Sequence, residues 1–100
     1  MARILVADSA HADAIAIFAY LGRVTGRPTL VKYLTLFENL YERLANHPTS
    51  GSPRRTLGSN IRIGVVAPYI VIYRYDEGDD TVRILRIVHG RRKISGQMLS

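Results

Sequence analysis

The side chains with the densest potential chemistry are arginines, and most of them fall in the second half of the chain. Of the 100 residues, positions 1–50 hold five Lys and Arg against four Asp and Glu, whereas positions 51–100 hold nine against four. Eight of those nine are arginines, namely Arg54, Arg55, Arg62, Arg74, Arg83, Arg86, Arg91 and Arg92, and the ninth is Lys93. A planar guanidinium grips a carboxylate or phosphate with two parallel hydrogen bonds, a geometry that bulk solubility does not require. The pattern points to an anionic partner; the plain alternative is a solvated basic face with none. His89 belongs with this cluster because it immediately precedes Gly90-Arg91-Arg92-Lys93. An imidazole titrates near neutrality and can move a proton while guanidinium groups hold a phosphate. A strand-end histidine bonded to backbone is the alternative there.

Several other chemistries are excluded. The chain has no Cys, so it forms no disulfide, thiolate metal site or thiol nucleophile. His11 and His47 lie at the start of one helical pattern and the end of another, too far from His89 in sequence to imitate a metal-ligand spacing, and a zinc site is rejected. Gly22-Arg23-Val24-Thr25-Gly26-Arg27 lacks the Lys-Ser/Thr ending and preceding strand of a phosphate loop and reads as a turn between helices. Asp76, Glu77, Asp79 and Asp80 crowd one turn, where they are solvated rather than paired as acid and base. No Gly-x-Ser-x-Gly element occurs, and no small-molecule cofactor is suggested. The apolar opening Ile4 to Ala7 stops at Asp8, and the uncharged run Ile63 to Tyr73 contains Pro68. The first is too short for a signal-peptide core and the second for a spanning helix, so no membrane association is expected and the expected address is the cytoplasm.

The elements that must position these residues read as one domain over 1–100, with 47% hydrophobic and 22% charged residues. A short strand over Arg3 to Ala7 precedes Asp8-Ser9, an N-cap signal. Ala10, Ala14, Ile17, Phe18 and Leu21 then form an apolar stripe at helical spacing, with the helix expected to end near Gly22. A second stripe, Leu30, Leu34, Phe37, Tyr41 and Leu44, starts after Pro28 in a first-turn position and closes before Pro48. Thr49 to Asn60 reads as loop. Three strands follow, Ile61 to Val66, Tyr69 to Tyr75 and Thr81 to His89, joined by short turns and therefore antiparallel. The expected fold is α+β in the order β-α-α-β-β-β, a helical hairpin packed on a small, mainly antiparallel twisted sheet.

Tyr69 to Tyr73 and Ile84 to Val88 are apolar on both parities, so both sheet faces want cover. With the hairpin on one face, Ile70 and Ile72 are expected to form an exposed apolar patch beside arginines, the composition of a binding surface. The alternative is that the second helix or the C-terminal tail folds across it. Strand alternation is expected to send Arg83 and Arg86 to opposite faces.

Residues 61–75, ending in Tyr69-Ile70-Val71-Ile72-Tyr73-Arg74-Tyr75, and 82–92, ending in Leu85-Arg86-Ile87-Val88-His89-Gly90-Arg91-Arg92, together resemble the C-terminal half of the RelE/ParE toxins of bacterial type II toxin–antitoxin systems. Asp13, Ile17, Tyr20 and Leu21 resemble the family's first helix, and Leu44-Ala45 with Pro48 and Gly51 the end of its second. The resemblance covers residues 3–93 and leaves 94–100 as a short tail. It implies a toxin neutralised by a cognate antitoxin that wraps an extended or helical segment around it, with DNA contacted only through that antitoxin. Members that cleave mRNA on the ribosome carry an arginine after the third-strand tyrosine, another two places beyond the last strand's glycine, and often a tail tyrosine. Those places hold Ile70, Arg92 and Met98 here. The resemblance is therefore closer to ParE and implies a non-enzymatic poison of DNA gyrase, although Lys93 stands where an acidic residue is common. Arg62, Ile70, Ile72, Arg74, Arg86, His89, Arg91, Arg92 and Lys93 are the expected target- or antitoxin-binding residues. The alternatives are a ribosome-dependent mRNA endonuclease using His89 and Arg92, and an inactive relative that only binds antitoxin.

Overall fold

The computed structural model describes residues 1–91, 94 and 96–99. Its elements run β1 (Arg3–Val6), α1 (Asp8–Val24), α2 (Arg27–Asn46), β2 (Ser52–Pro53), β3 (Ile61–Val66), β4 (Tyr69–Asp76) and β5 (Thr81–His89), with single 3₁₀ turns at Arg55–Leu57 and Gly96–Leu99. The α+β order is as expected, with one strand added. β2 is two residues long and contains Pro53, which gave no strand signal within the loop of residues 49–60.

Helix α1 ends close to the expected Gly22, two residues on at Val24. Gly22 itself is a packing gap: a Cβ there would stand 3.3 Å from Leu30 Cδ2 of α2. The interhelical link is therefore only Thr25-Gly26, where Gly26 takes φ +88°, the left-handed region that glycine enters without penalty. Asp8 and Ser9 also lie inside the helix rather than before it. Ala7 is the cap residue and offers no side-chain bond, so Asp8 acts through its charge at the positive helix end. The stripe Ala10, Ala14, Ile17, Phe18 and Leu21 meets the sheet as expected. In α2 the buried positions are Phe37, Leu40, Leu44 and Ala45, while Leu34 lies on the outer rim, 37% exposed.

The sheet order is β1-β5-β4-β3-β2. β2, β3, β4 and β5 pair antiparallel, whereas β1 returns through the helical hairpin to lie parallel with β5, Arg3 opposite Thr81 and Val6 opposite Ile84. The hairpin covers the first face, where Val71, Tyr73, Val82, Ile84 and Ile87 meet both helices. Between β4 and β5 the register steps at Ile72/Tyr73: Ile72 faces Arg86 and Tyr73 faces Ile84. Leu85 is thus the extra residue of a bulge. Because the bulge resets the alternation, Arg83 and Arg86 share the second face instead of pointing apart.

The second face is not open either. Ile61, Ile63, Ile72 and Val88 form a second core, closed by Leu57 from the first 3₁₀ turn and by Ile94, Met98 and Leu99 from the tail. Ile72 is 0% exposed and Ile70 half-buried. The expected exposed patch at these two residues is replaced by the alternative, cover by the C-terminal tail.

Candidate functional site

One buried phenol organises the basic end of the molecule. The Tyr73 hydroxyl donates to the Pro48 carbonyl at 2.8 Å and accepts from the Gly51 amide at 2.9 Å. Burial raises the Tyr73 phenol above its ordinary value of 10.0, against the opposing pull of the Gly51 amide and of the Arg62 and Arg43 charges. Beside it Arg62 Nη1 donates to the carbonyls of Thr49 and Gly51, at 3.1 and 2.9 Å. Only glycine fits at position 51, because a Cβ would lie 2.5 Å from both the Ile63 carbonyl oxygen and the Tyr73 hydroxyl. This clamp directs the chain into β2 and then into the Arg55–Leu57 turn, so Arg54 and Arg55 stand exposed beside the second core.

Two clefts result. One, of about 360 Å³, is lined by Arg54, Thr56, Leu57, Ile70, Gly90 and Ile94. The other, of about 440 Å³, is lined by Pro53, Arg55, Gly58, Ser59, Asn60, Ile61 and Arg62. No carboxylate lines either one among the described residues. On the rim of the first, the Gly90 amide donates to the Pro68 carbonyl at 2.7 Å and turns the chain out of β5. The Arg91 amide donates to His89 Nδ1 at 3.1 Å, and the His89 ring meets Tyr69 edge to face at 6.0 Å. Because Nδ1 accepts this bond, the proton of the neutral ring sits on Nε2, which is then a donor. The His89 ring also lies on the helix side with Tyr69, while Ile70 faces the other way. An apolar floor with guanidinium groups at its edge suits docking of an acidic, partly apolar surface.

The structure brings together some of the expected residues and separates others. Ile70 lines the first cleft and Arg62 the second, whereas the His89 ring lies on the helix side against Tyr69 and Arg91 follows Gly90 at the cleft's end. Ile72 lies beneath, in the core. Arg86 is committed elsewhere: its Nε and Nη2 donate to the two Asp13 carboxylate oxygens at 2.7 and 3.1 Å, and its Nη1 to the Met98 carbonyl at 3.3 Å. The Asp13 hydrogen bond raises the Arg86 pKa further above its ordinary value. Arg74 sits at the opposite end of the sheet, opposite Arg83. Arg92 and Lys93 lie outside the described residues. Among the described residues no group of three or more His, Asp or Glu is placed to hold a metal ion, and no helix is long and apolar enough to cross a membrane.

The sequence reading missed two features. Asp13 is a carboxylate inside the apolar stripe of α1, three residues after Ala10, and that misplacement was the available signal for its ion pair with Arg86. The second is an apolar groove of about 190 Å³ between the helices and the end of β1, lined by Val6, His11, Ala14, Phe18, Leu34, Phe37, Glu38 and Tyr41. Leu34 and Val6 are partly exposed there, a consequence of helix rotation that spacing alone does not fix.

Comparison with known proteins agrees with this geometry. Residues 4–94 match the family model described as the ParE toxin of the type II toxin–antitoxin system, parDE. The chain is 30% identical over 98 residues to Toxin ParE3 of Caulobacter vibrioides, covering 98% of this chain and 96% of that protein. Its fold is similar to a chain of the chromosomal ParDE system of P. aeruginosa, with TM-score 0.71 and 20% identity over 89% of this chain and 96% of that one. It is also similar to a chain of the RelBE2 toxin–antitoxin complex of Mycobacterium tuberculosis, with TM-score 0.63 and 24% identity over 88% and 96%.

Proposed function

The chain belongs to the ParE toxin family of type II toxin–antitoxin systems, and from that premise we propose that it acts by binding and poisoning DNA gyrase, without chemistry of its own, until a cognate antitoxin covers it. The observation that carries this reading is the cleft at the end of β5. Its floor is Ile70, Leu57 and Ile94 and its rim holds Arg54, with Arg91 next in sequence to the lining residue Gly90. Cleavage of a phosphodiester needs a base for the 2′-OH proton and cations around the pentacoordinate phosphorus. Ile70 supplies neither, and His89 has one ring nitrogen engaged by Arg91.

Antitoxin binding is supported by the solved toxin–antitoxin systems of like fold and by the groove between α1, α2 and β1. With the tail across the second sheet face, that groove is the concave apolar surface best placed to receive an antitoxin segment. Its mixed lining, with Glu38 and His11 at the margin, suits an amphipathic helix.

The test incubates purified, antitoxin-free chain with gyrase, ATP and supercoiled plasmid, then adds denaturant and protease. Linear DNA that disappears when antitoxin is added is the expected result. Its absence, from folded protein that still stops growth, would transfer the reading to ribosome-dependent mRNA cleavage with His89 and Arg92 at its centre, read out as new mRNA 5′ ends within codons. The double variant Arg91→Ala, Arg92→Ala is expected to lower the yield of linear DNA by about tenfold or more, the scale on which truncation of interfacial arginines acts. Undiminished breakage by a stably folded double variant would remove these residues from the target contact.

A further inference from the structure

At the end of the sheet farthest along β5 from His89, three guanidinium groups gather. Arg74 and Arg83 are direct cross-strand partners, and Arg3 lies on the neighbouring strand, opposite Thr81. Like charges facing each other across a strand pair destabilise a sheet, so the fold alone gives no reason for this placement. Arg3 is held by a bond from its Nη2 to Thr81 Oγ1 at 3.2 Å, and that hydroxyl donates in turn to the Asp79 carbonyl at 3.1 Å. The single ion pair among the described residues is Asp13–Arg86, so neither Arg74 nor Arg83 is engaged in a direct ion pair there.

Together with Asp76, Asp79 and Thr81, the three arginines line a cleft of about 170 Å³. The carboxylates within it make no direct ion pair with Arg74 or Arg83: Asp76 Oδ1 accepts from the amides of Gly78 and Asp79, at 3.0 and 3.4 Å. We infer that this cleft receives a carboxylate side chain of a protein partner, gripped between Arg74 and Arg83 with Arg3 alongside. A nucleic-acid backbone fits less well. The turn bordering the cleft carries Asp76, Glu77, Asp79 and Asp80, which repel the second and third charges of a polyanion, and no aromatic ring lines the cleft for a base to stack on. A segment with one acidic residue beside a basic one satisfies both signs at once. Leu5, the register partner of Arg83 and 38% exposed, offers an apolar seat beside it. The inference is independent of whether gyrase is the target.

The test is an NMR titration of the full chain, at constant ionic strength, with the capped tripeptide acetyl-Leu-Glu-Lys-amide and, separately, with inorganic phosphate. Saturable shifts at the Arg74, Thr81 and Arg83 amides with the peptide, at lower concentration than with phosphate, are expected. Arg83→Glu and Arg83→Gln are each expected to weaken the peptide about tenfold or more, the loss of one charge-assisted bond. Arg83→Glu is also expected to raise the melting temperature of the free chain by roughly 2–5 °C, because an Arg–Glu pair replaces two like charges. Tighter binding of phosphate would overturn the carboxylate assignment. So would a peptide that fails to saturate, or an Arg83→Glu chain that melts no higher and binds the peptide as before.

Discussion

At the scale of single residues, Tyr73 links the sheet to the loop that carries Arg54 and Arg55. Its hydroxyl sits between the Pro48 carbonyl and the Gly51 amide, and both would be left without that partner in Tyr73→Phe. The variant is expected to lose about 1–2 kcal/mol at neutral pH, measured by urea unfolding, the usual cost of stranding a buried hydrogen-bonding group. The same residue sets an alkaline limit. Burial raises the Tyr73 phenol above 10.0 in the folded chain, so the folded state holds this proton to higher pH than the unfolded state does. The stabilisation is complete below pH 10.0 and is lost as pH rises through the folded value. The urea midpoint is therefore expected to fall above pH 10.0, and to fall less steeply in Tyr73→Phe. Tyr41 and Tyr69 are shifted upward by burial as well, so the substitution blunts the fall and does not abolish it. An identical alkaline slope in the two chains would show that this phenol ionises without consequence.

At the scale of elements, the edge of β5 beyond β1 is closed by a side chain instead of a strand. β1 ends opposite Ile84, and further on Asp13 of α1 accepts from the Ile87 amide at 2.9 Å while binding Arg86 with both oxygens. Both partners are 18% exposed, so the pair is largely removed from water and one member alone is costly there. Asp13→Ala is expected to lower stability by about 2–4 kcal/mol. Asp13→Asn, which can still accept from the Ile87 amide, should lose less, and equal losses in the two would assign the effect to packing. This element also shows what a sequence can and cannot disclose. The two helices and three long strands were legible because periodicity is local: the α1 stripe, β3 and β5 fall where spacing puts them. The dense basic group that follows His89 was legible as a run. The bulge at Leu85 and the two-residue β2 were not, and cover of Ile72 by the tail stood only as the alternative, since each depends on a partner distant in sequence. The Arg74–Arg83 pairing is set by cross-strand register, and alternation along a single strand gave the wrong relation between Arg83 and Arg86 because it assumes an unbroken pleat.

At the scale of the whole molecule, the sheet is a partition with a core on each side, and the smaller core is completed by the tail. Ile94, Met98 and Leu99 cover Ile61, Ile63, Ile72 and Val88. Removing residues 94–100 is expected to lower the urea-derived stability by about 2–4 kcal/mol, from the apolar area returned to water, and to raise binding of an apolar fluorescent dye. An unchanged midpoint would mean that the tail adds nothing to this core. The placement of β1 has a different kind of consequence. Arg3 pairs beside Thr81, 78 positions later, so the first strand made by the ribosome waits for the last strand before it has anywhere to lie. Synthesis through β5 takes about 4–18 s at the usual rates, and until β5 is made the helical hairpin has no completed sheet to rest on. A chain that stops short of β5 therefore lacks both the His89 end and the arginine cleft, and the two ends of the sheet come into being together, when β5 is made.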